Sequence, residues 1–373
     1  MSAHSTSAAQ RAQSPRILFV PVSGPHGSGE LMRCLIVAHE LRRAAPHVDI
    51  HFIVSRNAVF RDAIDFPIHE CDDSPTRSTP QVIATLRALR PDVAVFDNAG
   101  RTVQLRAARA LGTRLVFTSR SPRLRWKAFR VSWLALLDEH WIVFPKFVTG
   151  GLNLVERLKL RFSPGYVVRH LDTLFTPSEP APRRAWLEAH GLAEGGYALF
   201  VPGGRGDQHV AAVDPAELFI DAAREFARAS QQRAVVLTGR SAPATNGSST
   251  SGSGDDHGLT LLPRVRPEEV QHLLAGATLV VSNGGTTLVH ALAHRQVIVS
   301  VPLAGDQARR IHRAARLGVA VAAPRDSSRI AQAALELARD PQRCERMRVL
   351  VDALGLVNGA DVAVAALRRL ANA

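Results

Sequence analysis

The chain is predicted to be an α/β protein of two domains, each a parallel sheet wrapped by helices, and three observations predict this. A short β-branched apolar run, a glycine-rich turn and a segment with helical spacing recur in that order, and two strands joined by one helix pair in parallel through the crossover. The 373 residues exceed what one core usually holds, and 46% hydrophobic residues supply apolar surface for two cores. Residues 171–183 carry Pro177, Pro180 and Pro182 with few apolar anchors, a linker composition. The expected domains are therefore residues 16–175 and 176–373, after a polar, disordered tail at 1–15 that lacks the apolar core of a signal peptide.

In the amino half, residues 16–22 read as a strand. Ser23-Gly24-Pro25-His26-Gly27-Ser28-Gly29-Glu30 is a loop, and helical spacing then runs through Leu31, Cys34, Leu35, Ala38 and Leu41. The loop could hold phosphate, yet it has neither the P-loop lysine nor the dinucleotide Gly-x-Gly-x-x-Gly register. Glu30 is a candidate base if burial raises its pKa, or simply an acidic residue favoured by the helix dipole. His26 is a spare candidate or a loop histidine without chemistry.

Strands at 48–54 and 67–70, a helix at 81–89 and a strand at 93–96 follow. Asp97 comes just past that last strand's carboxyl end, where open α/β sheets collect ligand groups; it reads as a second base or as the cap of a helix at 101–111. After a strand at 115–118, residues 121–137 interleave Arg123, Arg125, Lys127 and Arg130 with Trp126, Phe129 and Trp133. That mixture suits a helix lying on an anionic bilayer, or an amphipathic core helix with an arginine-rich outer face. Residues 138–144 are expected to be this domain's last strand, and 146–161 a further basic segment.

In the carboxyl half, a strand at 197–201 leads into Pro202-Gly203-Gly204-Arg205, where the glycines permit close backbone approach and the arginine could neutralise phosphate. A helix at 217–229 and a strand at 234–238 precede a Ser/Gly/Thr-rich stretch, 241–258, expected to be a surface loop. A strand at 259–262 and Val265, opening a helix to 274, lead to residues 277–307, around which the chain is organised. There a strand ends in Asn283-Gly284-Gly285, a helix opens with Thr286 and Thr287 and carries His290, and a second strand closes at Pro302 ahead of Asp306-Gln307. Unpaired amides and the positive dipole end at such a turn make an anion site, most plausibly for phosphate. Helices at 308–317, 329–339, 342–354 and 360–370 complete the chain.

The formal charge of +13 favours acidic partners. Nucleic acid is not expected: aromatic residues are only 5%, no recognition motif is present, and the basic residues are spread over many segments. Cys34, Cys71 and Cys344 form no Cys-x-x-Cys pair, which favours a reducing, cytoplasmic setting. No Asp-x-Asp pair suggests a divalent ion, so neither metal nor cofactor is expected. Asp255-Asp256 read as a solvated pair.

Ser282-Asn283-Gly284-Gly285-Thr286-Thr287-Leu288-Val289-His290-Ala291-Leu292, followed by Val301-Pro302-Leu303-Ala304-Gly305-Asp306-Gln307, resembles the nucleotide-sugar motif of GT-B glycosyltransferases. The likeness is to the UDP-sugar hydrolase of pseudaminic acid synthesis and the N-acetylglucosaminyltransferase of peptidoglycan lipid-intermediate synthesis. The resemblance implies two Rossmann-like domains facing across a cleft, with the last helix returning to the first. It implies a nucleotide-sugar donor, expected to be a UDP-sugar, and inverting hexosyl or N-acetylhexosaminyl transfer to a glycan or lipid-linked acceptor, with peripheral contact to an anionic membrane. Hydrolysis of the donor and a catalytically silent binder are the alternatives. By the same resemblance Gly203, Gly204 and Arg205 lie over the diphosphate and the backbone around Val265 cradles the base. His290 replaces the glutamate that holds the ribose hydroxyls, and Glu30 replaces the hydrolase's catalytic histidine.

Overall fold

The structure, a computed structural model, describes residues 14–24, 29–203, 214–239, 258–263 and 265–372, with the side chain of Asp306 also outside the description. The chain divides into two compact units, one reaching to Leu174 and resuming at Asn358, the other Phe175–Val357.

In the first unit β1 (Arg16–Pro21), α1 (Gly29–Ala44), β2 (Asp49–Ser55), β3 (Ile68–Cys71), α2 (Thr79–Leu89), β4 (Val93–Asp97), α3 (Thr102–Ala110) and β5 (Arg114–Ser119) alternate regularly. Then come α4 (Pro122–Ala128), α5 (Val131–Leu134), β6 (Glu139–Ile142), α6 (Lys146–Thr149), α7 (Leu154–Arg161) and β7 (Val167–His170). The strands are all parallel, in the order β3-β2-β1-β4-β5-β6-β7. Central strands such as β1 and β4 are continuous apolar runs because helices cover both faces, and Ile17, Leu18, Phe19 and Val20 are wholly buried.

One expectation needs correction here. The sheet does not end with β6: β7 adds an edge strand whose half-polar Val-Val-Arg-His sequence leaves little apolar pattern to read. Of the two readings of residues 121–137, burial favours the core one: they fold into two short helices whose Phe129, Trp133 and Leu134 enter the core while Arg123 and Arg130 stay exposed. Trp133 meets Phe117 edge to face at 5.0 Å and donates from Nε1 to Thr102 Oγ1.

The second unit runs α8 (Pro180–Ala189), β8 (Tyr197–Val201), α9 (Pro215–Ser230), β9 (Arg233–Leu237), β10 (Leu259–Leu262), α10 (Pro267–Gly276), β11 (Leu279–Asn283), α11 (Thr286–Ala293), β12 (Ile298–Val301), α12 (Gly305–Arg316), β13 (Val321–Ala322), α13 (Ser327–Ala338) and α14 (Pro341–Ala353). Its strands are parallel in the order β10-β9-β8-β11-β12-β13. The proline-rich stretch read as linker already contains the start of α8, since prolines at a helix's first turn forfeit no hydrogen bond. Most of the expected surface loop, residues 241–257, lies outside the described residues.

The last helix, α15 (Gly359–Ala371), packs on α1 in the first unit. Gly359 N donates to Thr173 O at 2.6 Å, and a Cβ at Gly359 would meet Leu171 O at 2.1 Å, so only glycine permits the approach. At its far end Arg369 pairs with Glu139, a wholly buried carboxylate that Arg169 and Trp141 also hold.

Both sheets reverse strand order once, between β1 and β4 and between β8 and β11. In such sheets helices leave on opposite faces at that point, opening a crevice beyond the carboxyl ends of the two strands.

Candidate functional site

In the second unit β8 and β11 run side by side with Val201 opposite Ser282, so the turns that follow them meet. Gly203, at φ 89°, lies under the Asn283 side chain; a Cβ there would stand 2.2 Å from Asn283 Nδ2. Asn283 Oδ1 accepts from Gly285 N at 3.0 Å, which fixes the turn before α11. Gly284 is buried against α12, where a Cβ would stand 2.7 Å from Ile311 and 3.0 Å from Gln307. These glycines serve close approach by other protein atoms.

Gly285 is the N-cap of α11 with no side-chain cap, Thr286 is exposed and Thr287 half-buried, the arrangement in which first-turn amides can meet an anion. Gln307 has a bracing role within the fold. Its Oε1 accepts from Leu303 N at 2.9 Å and Ala304 N at 3.3 Å, bracing the loop into α12. Arg310, not anticipated from the sequence, donates to Gly284 O and brings a cation beneath the glycine turn. Its position two turns along an arginine-rich helix gave no signal.

His290 stands among α10 and Phe175. Gln271 Nε2 lies 3.1 Å from His290 Nδ1, and Gln271 Oε1 lies 3.0 Å from His294 Nε2. Phe175 lies 5.8 Å from the first ring and 5.0 Å from the second. Burial, aided by Arg183, pushes the His294 pKa down to about 4. With its imidazole neutral, His294 donates to the glutamine carbonyl, which turns the glutamine amide toward His290 Nδ1. Val265 is half-buried just ahead of the α10 N-cap, Arg266. Gly204 and Arg205 lie outside the described residues.

In the first unit the same edge holds a charged cluster. Val22 N donates to Asp97 O at 3.0 Å, closing β1 against β4. Asp97 is 2% exposed and grips Arg33 with both oxygens, at 3.1 Å to Nε and 2.9 Å to Nη2. Glu30, in the first turn of α1, takes Asn98 Nδ2 at 2.6 Å, Arg120 Nε at 3.3 Å and Arg33 Nη2 at 3.6 Å, and all three contacts fall on Oε1. Asn98 reaches it from a left-handed residue, φ 54°, directly after β4. His26 lies outside the described residues.

The condition set for Glu30 fails. Burial alone would raise its pKa, but Arg33, Arg120 and Asn98 outweigh burial and hold it below the usual glutamate value. Asp97 is the carboxyl that burial pushes up, to about 6, against the pull of Arg33. Arg33 itself is held more firmly protonated, since Asp97 and Glu30 overcome its burial. Asp97 therefore holds Arg33, and Arg33 holds Glu30. Neither Asn98 nor Arg120 had been assigned a part. Nearby, Lys127 Nζ donates to Gly100 O at 2.8 Å and lies 4.5 Å over the Trp133 ring. Burial, with Arg101, Arg130 and Arg123 beside it, lowers the Lys127 pKa to about 8.

No family model and no curated protein sequence matches the chain. Among solved structures it is similar to the calicheamicin glycosyltransferase CalG4 (TM-score 0.62, 16% identity, 96% of this chain and 98% of that one). It is similar to Phytolacca americana UGT2, complexed with UDP-2-fluoroglucose and pterostilbene (0.63, 13%, 96% and 100%). It is also similar to Acinetobacter baumannii MurG (0.61, 14%, 95% and 99%). These likenesses span both units and establish the α/β, GT-B architecture.

Proposed function

We propose that the chain is a glycosyltransferase that takes a sugar from a nucleotide-diphosphate donor, a UDP-sugar in the first instance, to an acceptor hydroxyl. One observation carries the reading. The strand-order reversal of the second sheet brings the Gly203 turn and the Asn283-Gly284-Gly285 turn together at the exposed amino end of α11, a seat for a diphosphate. The fold it shares with UDP-complexed UGT2 supports the choice of donor.

The chemistry follows from charge. Breaking the sugar–diphosphate bond places a further negative charge on the leaving group, and the α11 amides, its dipole and the nearby Arg310 meet that charge. The first unit supplies the base. Asp97 is buried with both oxygens on Arg33, so Glu30, which is ionised because its neighbours hold its pKa low rather than high, is the carboxylate assigned to receive the acceptor's proton. The acceptor oxygen then forms the new bond at the anomeric carbon as the diphosphate leaves with its electron pair, with inversion. Asp97 acts as a positioning residue through Arg33. The transferred group is a hexosyl or N-acetylhexosaminyl unit and the acceptor a glycan or lipid-linked glycan.

The test has two stages. Titration calorimetry with UDP and the other nucleoside diphosphates should find one binder, and loss of that binding on Asn283→Ala should place it at the turn. Nucleotide release from the matching donor should then require an added acceptor. Release in water alone would make the protein a hydrolase, and binding without turnover a silent binder.

A further inference from the structure

A groove of about 600 Å³ opens at the amino ends of β5, β6 and β7, the opposite edge of the first sheet from Asp97. From Arg114 to Ser119 the strand β5 alone spans roughly 16 Å, so a molecule held here lies clear of the charged cluster at the other edge. Sites for small organic molecules run to roughly 300–1,000 Å³, and the groove falls among them. Leu134 and Leu137 are buried beneath it, whereas Val131 and Phe162 line it and stand 75% and 77% exposed. Phe162 ends α7 through its backbone, N donating to Lys159 O at 3.1 Å, which requires no aromatic ring.

Charge distinguishes this groove from an apolar hollow. Its charged lining is Arg109, Arg114, Lys159 and Asp138, three cations against one carboxylate. Asp138 is fully engaged: Oδ2 accepts from Leu115 N at 2.7 Å and Arg109 Nη1 at 2.9 Å, and Oδ1 accepts from Arg114 Nη1 at 3.1 Å. Each guanidinium gives it one nitrogen while its side chain stays 39% exposed, so both forks keep donors for a second oxyanion. Lys159 Nζ donates to Phe129 O at 2.8 Å, a neutral carbonyl that leaves the ammonium charge unbalanced.

We propose that the groove binds a small soluble anion with an apolar body, an oxyanion such as carboxylate on an aromatic or short aliphatic frame. The oxyanion meets the remaining donors of Arg109 and Arg114, and the frame lies over Leu134 and Leu137 between Val131 and Phe162. A neutral apolar molecule would take water from the guanidinium groups and return no hydrogen bond. A wholly hydrophilic anion would leave the apolar walls wet. The site is separate from the diphosphate seat and needs neither donor nor acceptor.

The experiment is a fluorescence titration of the full chain with 8-anilinonaphthalene-1-sulfonate. Displacement follows with 1-naphthoate, the cationic 1-naphthylmethylammonium and the neutral 1-naphthalenemethanol. The probe should fill a single site, and naphthoate should displace it at least about 10-fold more strongly than the other two, because only it makes charge-assisted hydrogen bonds. Phe162→Asp sets a carboxylate on the apolar rim and should weaken probe binding at least about 10-fold, while Phe162→Trp should preserve it. Arg109→Gln leaves Asp138 with Arg114 and Leu115 N, and should weaken naphthoate by about 10-fold with little effect on the neutral alcohol. Melting curves of all three variants should stay close to wild type, since Phe162 is exposed and Asp138 keeps partners without Arg109. UDP at saturation should leave the probe in place. The proposal is overturned if the three naphthalenes displace equally, if Phe162→Asp and Arg109→Gln bind like wild type, if UDP displaces the probe, or if the groove is covered in a dimer that Phe162→Asp dissociates. No turnover is read, so the result is independent of the proposed transfer.

Discussion

Replacing Gly203 by alanine tests the donor seat most directly. Its φ of 89° is a conformation that side chains disfavour by roughly 1–2 kcal/mol. The new Cβ would also stand 2.2 Å from Asn283 Nδ2 and 2.9 Å from its Cγ, so the asparagine must withdraw. Withdrawal breaks the 3.0 Å bond from Gly285 N, worth about 1 kcal/mol net. Together these give about 2–3 kcal/mol, or roughly 5–10 °C in the melting of a unit of this size. Nucleotide affinity should fall at least about 10-fold, because the turn that aims the α11 amides loses its brace. Differential scanning calorimetry and titration with UDP read both effects. Gly305→Ala is the control: its Cβ would meet nothing within 4 Å, and it should change neither. Should Gly203→Ala melt within a degree of wild type and bind UDP within twofold, the contact between the two turns is not what shapes the seat.

Glu30→Gln should lower turnover by at least about 100-fold with little change in donor affinity, measured by steady-state kinetics. The pH profile separates the two carboxylates. A base works deprotonated, so the rate falls as pH drops through its pKa; the acid limb should lie below the ordinary glutamate value if Glu30 is the base, and near 6 if Asp97 is. Arg33→Met leaves buried Asp97 without its cation and should destabilise the first unit by about 3–5 kcal/mol in urea melts. Arg33→Lys should not restore activity, since an ammonium cannot grip Asp97 with two parallel bonds.

Much of the architecture was legible because central parallel strands must be apolar on both faces. β1, β4, β8 and β11 are short runs without polar interruption, and each was readable together with the turn that follows it. Edges were not: β7 is partly exposed along its length and satisfies no hydrophobic pattern. Residues 121–137 left two readings open for a related reason, since aromatic residues beside arginines look alike whether the rings point to lipid or to a core. Trp133 and Phe129 point inward while Trp126 does not, and only the break between α4 and α5 decides which.

The sequence by itself determined the two α/β units, the glycine turn at the head of α11 and the placing of Glu30 at a helix start and Asp97 at a strand end, because each is a local consequence of backbone freedom and apolar periodicity. Tertiary structure alone decided how these groups behave. The grip of Asp97 on Arg33 spans a sequence separation of 64 residues and that of Asn98 on Glu30 one of 68. Gly203 meets Asn283 only because β8 and β11 are neighbours across the crossover. A carboxylate's pKa depends on which charges lie within a few ångströms and how much water is excluded, and folding brings those charges in from distant segments.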